Sequence, residues 1–181
     1  MEINFNNTIE GLFEINPKVI FDNRGFFLKT FSHSAYLKEC ISFDWKEEYF
    51  SMSNKGVLRG MHFQTPPYSL DKLVFCITGS VLDVIVDLRI NSSTYLNVYS
   101  TILDSQSSKM IFIPNGCAHG FLSLENNSIL QYKVSEEYNS KNDKGILWSS
   151  INFDWPIIDK LIISERDQIL PSLNNFNSPF I

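Results

Sequence analysis

The chain has 181 residues, of which 44% are hydrophobic and 19% charged, and its formal net charge is −5. That length suits one domain with a real core. The acidic balance excludes a sequence-independent nucleic-acid binder, which needs a basic face, and no apolar run approaches the length of a membrane span.

From the N-terminus, residues 1–7 carry neither a charged leader nor an apolar core of the kind that directs secretion, so a cytoplasmic protein is expected. Aromatic and β-branched residues predict strands over 19–22 and 25–31, a short helix over 34–40, and further strands over 49–53, 57–64 and 73–77. Gly79-Ser80 reads as a tight turn. The next strand, 81–89, alternates cleanly: Leu82, Val84, Val86 and Leu88 fall on one face, Val81, Asp83, Ile85 and Asp87 on the other. More strands are predicted over 95–103, 109–113, 119–124, 129–135 and 146–148. Ser164 then caps a short helix with acidic first-turn residues that ends before Pro171. Residues 174–181 are expected to form a loose tail. Many short strands joined by turns make an all-β sandwich or jelly-roll barrel with a few short helices, a single domain over 1–181.

Cys40, Cys76 and Cys117 are odd in number and widely spaced, so they read as buried thiols of a reducing compartment, not as a disulfide frame or zinc site. Of the three histidines, two sit in Gly-rich strand contexts: Gly56-Val57-Leu58-Arg59-Gly60-Met61-His62-Phe63-Gln64 and Pro114-Asn115-Gly116-Cys117-Ala118-His119-Gly120. His62 reads either as a core histidine bonded to the backbone or as a proton-transfer group. Arg59 reads as a buried-strand arginine, which needs an anionic partner and sharpens the functional reading of His62. Strict alternation would put Arg59 and His62 on opposite faces, so a shared pocket requires an irregularity, expected at Gly60. Lys72 opens a strand and is either solvated or turned toward a developing oxyanion. Asp83, if it points inward, wants Lys72 or His119. Asp87 and Arg89 read as an exposed pair at a strand end. Alone, Tyr132 reads as a packing residue and Asp167 as a first-turn helix carboxylate. The Pro114-x-Gly116-x-x-His119 run resembles the second motif of the cupin superfamily, but the first motif's His-x-His pair and glutamate are missing, so no metal is expected.

Together these segments resemble the dTDP-4-dehydrorhamnose 3,5-epimerase family. The matching stretches run in order from Asp22-Asn23-Arg24-Gly25-Phe26-Phe27, through Gly56 to Gln64 with Pro66-Pro67, Lys72-Leu73-Val74, Gly79 to Arg89, Ile113 to Phe121 and Tyr132-Lys133, to Ser164-x-x-Asp167-x-x-x-Pro171. The resemblance implies a cupin-type jelly roll, a homodimer, a nucleotide-linked 4-keto-6-deoxy sugar as substrate, and no cofactor. It implies His62 as general base, Asp167 as the carboxylate orienting it, Tyr132 as the acid on the other face of the sugar, and Lys72 as the cation steadying the enolate. Arg59 and Arg24 would hold the diphosphate, Arg24 being lent by the second subunit. His119, Gln64, Phe26 and Tyr138 would line the substrate.

Family members usually carry a glutamate where this chain has Lys29, and Gln-x-Asn where it has Glu47-Glu48-Tyr49. The catalytic set is kept while these substrate-binding positions are changed. Carboxylates at 47 and 48 suit the donor edge of guanine, so a GDP-linked 4-keto-6-deoxy-heptose for surface (capsular) polysaccharide is the substrate expected first. The alternatives are dTDP-4-keto-6-deoxyglucose, a metal-free ketoisomerisation between C3 and C4, or a sugar-binding jelly roll without turnover.

Overall fold

The computed structural model describes residues 2–38, 41 and 44–181. Its strands are β1 (Glu2–Phe5), β2 (Phe13–Asn16), β3 (Val19–Asp22), β4 (Gly25–Leu28), β5 (Glu47–Ser53), β6 (Val57–Gln64), β7 (Lys72–Thr78), β8 (Ser80–Asp87), β9 (Val98–Asp104), β10 (Met110–Ile113), β11 (Cys117–Ser123), β12 (Ser128–Val134), β13 (Asp143–Gly145) and β14 (Ile162–Ile163). Two short helices, α1 (His33–Lys38) and α2 (Glu165–Gln168), complete it, with 3₁₀ turns at Trp148–Ser150 and Leu173–Asn175.

All strands but β3 and β4 form two facing sheets, in the orders β1-β2-β10-β7-β12-β5 and β13-β6-β11-β8-β9, with β14 added in parallel to β6, while β3 and β4 pair in a separate hairpin. This is the jelly roll that the strand pattern predicts. Alternation along each strand divides the core into layers. Val74 and Cys76 of β7, Val81 and Ile85 of β8, and Leu130 of β12 fill the space between the sheets. Leu73 and Phe75 of β7 face outward, where Tyr36 of α1 and Ile41 cover them. Val84 and Val86 of β8, together with Leu88, face out on the other side beneath Ile146, Ile151 and Phe180. The two faces read from residues 81–88 are thus both buried, in different clusters.

The structure departs from expectation at several points. The N-terminal strands β1 and β2 escape sequence reading because they are short and rich in Asn and Glu; antiparallel pairing of β2 to β10 holds them in place. The strand expected from residue 95 starts at Val98, because Leu96 takes a positive φ of 65° and turns the chain. The strand expected over 146–148 lies at Asp143–Gly145 instead; the apolar run after it lies over a sheet face, and Leu147 N–H donates to Pro171 O at 2.8 Å. Residues 174–181 are not loose: Phe180 is 4% exposed within the core, and its carbonyl accepts from Ile90 N–H at 2.9 Å. The expected exposed pair is instead buried at Asp87, whose carboxylate accepts from Arg89 at 2.8 Å and from Ser92 and Thr94 at 2.7 Å each. Cys76 and Cys117 are buried free thiols; Cys40 lies outside the described residues. Among the described residues no helix is long and apolar enough to cross a membrane.

Candidate active site

The ladder between β6 and β11 pairs His119 with His62 but Phe121 with Arg59, so the register slips where Gly60 and Gly120 meet. Gly60 has a φ of 133°, and a Cβ there would stand 2.5 Å from the Gly120 Cα. Only glycines permit that approach. The slip is the irregularity expected at Gly60, and it turns Arg59 and His62 into one cleft.

His62 Nε2 lies 2.7 Å from Asp167 Oδ1. The other carboxylate oxygen of Asp167 accepts the Gly60 N–H at 3.2 Å. Asp167 itself is placed by the cap of α2, where its N–H donates to Ser164 Oγ at 3.1 Å. Burial pushes the Asp167 carboxyl upward, but the His62 bond and charge, the Gly60 N–H and the Arg166 guanidinium outweigh it and hold the group below its ordinary range. It therefore stays ionised at neutral pH and can fix the imidazole ring and balance a proton on it. The first-turn carboxylate is in fact the partner of His62.

Lys72 shares strand parity with Val74 and Cys76, so it points between the sheets; it is buried, not solvated. Its ammonium donates to His62 O at 3.2 Å. Desolvation lowers it to about 8, against the pull of Asp143 and Asp83. Tyr132, from β12, is 8% exposed. Burial raises its hydroxyl well above the ordinary value, and Tyr49 and Asp83 add to this, so the phenol keeps its proton. The inward Asp83 takes His119 as its partner, Nε2 to Oδ1 at 2.7 Å.

Two adjoining hollows share Tyr49, His62 and Lys72 in their lining. The inner one, about 200 Å³, adds Ser51, Arg59, His119 and Tyr132. The outer one, about 340 Å³, adds Glu47, Gln64, Leu70, Glu136, Tyr138, Asp143 and Arg166. Arg59 is exposed, contrary to the buried setting expected of it; Ser53 Oγ and Met52 O accept from its guanidinium at 3.0 and 3.2 Å. Among the described residues no carboxylate forms an ion pair with it, which leaves a cation at the mouth of the inner hollow. Gln64 is committed to the fold: its amide group donates to Tyr68 O and Glu137 O at 2.9 and 3.1 Å, and its carbonyl accepts from Asn139 N–H at 2.6 Å. Glu47 lines the outer hollow and accepts the Tyr138 N–H at 2.8 Å, whereas Glu48 turns away to Gln131 and Lys133.

Within the chain, Arg24, Phe26 and Lys29 are not brought to this cleft. Arg24 is 85% exposed at the turn of the separate β3–β4 hairpin, and among the described residues it is paired only to Asp22, at 2.6 Å. Phe26 is exposed on the same hairpin, and Lys29 lines a different depression with Lys18 and Ile20. Sequence reasoning missed the rim pair of Arg166 and Asp143, 2.8 Å apart. Arg166 adjoins Asp167 on α2, but nothing in the local pattern of Asp143 marks it, since β13 itself was not recognised.

The family model described as dTDP-4-dehydrorhamnose 3,5-epimerase matches residues 6–175. The chain is 41% identical over 165 residues to the dTDP-4-dehydrorhamnose 3,5-epimerase of Methanothermobacter thermautotrophicus, covering 89% of each. It superimposes with a TM-score of 0.91 on the Bacillus anthracis enzyme of that name solved with TDP and PPi bound, at 32% identity over 95% of this chain and 99% of that one. The TM-score is also 0.91 against the Legionella pneumophila dTDP-6-deoxy-D-glucose-3,5-epimerase in complex with dTDP-4-keto-L-rhamnose, at 32% identity over 97% and 95%.

Proposed function

The chain belongs to the dTDP-4-dehydrorhamnose 3,5-epimerase family, and on that premise we propose that it inverts C3 and C5 of a dTDP-linked 4-keto-6-deoxy sugar through an enolate. It is an isomerase acting on a nucleotide sugar. One observation carries the residue assignment: an oriented imidazole, a buried ammonium and a buried phenol face one 200 Å³ hollow. The ketone at C4 acidifies the hydrogens on C3 and C5. His62 takes such a proton, and the C–H electrons become an enolate with its charge on O4. Lys72 faces that charge in a dry setting, where a fixed cation is worth most. Tyr132 returns a proton from the opposite wall, which inverts the centre. Positioned acid and base contribute roughly 10²–10⁴-fold each.

Arg59 is read as a diphosphate ligand and Tyr138 as the ring beside the base. The reading includes a homodimer whose hairpins lend Arg24 and Phe26 to the neighbouring cleft, and it sets the enzyme in a reducing cytoplasm where Cys76 and Cys117 stay unpaired. The dTDP sugar is preferred to the GDP-linked heptose on two grounds. The related structures carry TDP or a dTDP sugar, and of the two carboxylates that suited guanine, Glu48 faces away from the hollows and Glu47 has an oxygen committed to Tyr138.

The test is solvent exchange. In D₂O with dTDP-4-keto-6-deoxyglucose, the protein is expected to place deuterium at C3 and C5 with inversion, and His62→Asn to lose roughly 10²–10⁴-fold of that rate. Exchange with GDP-4-keto-6-deoxy-heptose alone would reinstate the guanine reading, and exchange with neither would overturn the epimerase assignment for both.

A further inference from the structure

Tyr49 is a residue of the cleft to which the proposed reaction gives no task. It sits on β5, directly across the ladder from Tyr132. The two rings are stacked nearly flat, with centroids 4.9 Å apart and planes 19° from parallel. On another side of Tyr132 stands the edge of His119, 6.0 Å away. Tyr132 is 8% exposed, Tyr49 43%, so the outer ring stands between the inner one and water. Tyr49 also borders both hollows, as His62 and Lys72 do.

We propose that Tyr49 is a positioning residue that holds the Tyr132 phenol on one face of the sugar, so that each enolate is reprotonated with inversion. The inference rests on the reading of Tyr132 as the acid. Its chemistry follows from competition for one enolate. His62 holds the proton it removed, and its side chain, 31% exposed, trades that proton with solvent. Return from His62 gives exchange with the original configuration. Donation from the Tyr132 O–H gives inversion and leaves a phenolate that regains its proton from water. A Tyr132 ring freed from its stack loses alignment, and small displacements of a reacting group carry large rate penalties. The stack requires a ring, not a hydroxyl.

The measurement is the initial ratio of inverted to exchanged product at C3 and C5, read by NMR in D₂O. The probe is dTDP-4-keto-6-deoxyglucose, or GDP-4-keto-6-deoxy-heptose if only that is turned over. Tyr49→Leu is expected to lower the ratio by roughly tenfold or more, while Tyr49→Phe keeps it. Partial unfolding lowers inversion and exchange together, so it cannot by itself lower the ratio read from the molecules that remain active. An unchanged ratio in Tyr49→Leu, or an equal fall in Tyr49→Phe, overturns the proposal for Tyr49. Tyr132→Phe separates the two levels: wild-type inversion there overturns the acid assignment and this inference with it, whereas lost inversion there with a normal ratio in Tyr49→Leu overturns the role of Tyr49 alone. A wild-type protein that exchanges neither substrate removes both.

Discussion

Desolvation outweighs the attraction of Asp143 and Asp83 at Lys72 and brings its ammonium from 10.5 to about 8. The folded pKa lies below the unfolded one, so between about 8 and 10.5 the unfolded chain binds more protons. Stability therefore rises with pH across that window. Activity takes the opposite course, because a neutral amine cannot balance the enolate: kcat/KM is expected to fall as pH passes about 8. Lys72→Met is expected to lower kcat roughly 10²–10³-fold and to raise stability at neutral pH by roughly 1–3 kcal/mol. Urea titrations of both proteins at pH 7 and at alkaline pH would check it, since the variant loses the alkaline rise. The local sequence left Lys72, Tyr132 and Asp167 ambiguous, because a solvated lysine, a packing tyrosine and a helix-end carboxylate look the same in the chain. Their partners lie far away: Asp167 is 105 residues from His62.

At the scale of elements, the meeting of β6 with β11 decides whether the cleft exists. A Cβ on Gly60 would collide with backbone of the facing strand, at 2.5 Å from Gly120 Cα and 3.1 Å from His119 O. Gly60→Ala is expected to cost roughly 2–4 kcal/mol, from a strained φ and forced separation of two buried strands. Because the Gly60 N–H also holds Asp167, the loss of activity should exceed what unfolding accounts for, a comparison available from denaturation and kinetics on the same sample. The need for an irregularity was legible from Arg59 and His62 lying an odd number of residues apart. The arrival of α2 behind His62 was not legible, because its cap and length are set locally while its docking depends on β14 running along β6.

For the molecule as a whole, the β3–β4 hairpin stands apart from both sheets and exposes Phe21, Phe26 and Phe27, more apolar surface than a free hairpin usually presents to water. In the proposed homodimer this surface carries Arg24 to the neighbouring cleft. Mixing Arg24→Ala with His62→Asn subunits then rebuilds one intact site in each mixed dimer. Random exchange makes about half the dimers mixed, so about a quarter of the wild-type rate should return at low substrate. If each chain supplies its own Arg24, mixing two impaired proteins restores nothing.

Alternation, turn residues and the helix cap are local properties, so a jelly roll of short strands, the two faces of β8 and the cap at Ser164 were legible in the chain. Motif order likewise carried the family. Tertiary structure alone decided which side chains meet: Asp167 with His62, Asp83 with His119, and Tyr49 flat against Tyr132. It also decided that the Asn- and Ser-rich end is docked, since Phe180 finds its core only once β6, β8 and β11 have assembled the face beneath it. The reason is the same throughout: a residue's conformational preference is written within a few neighbours, whereas its burial, its charge state and its partner depend on segments that folding brings from elsewhere in the chain.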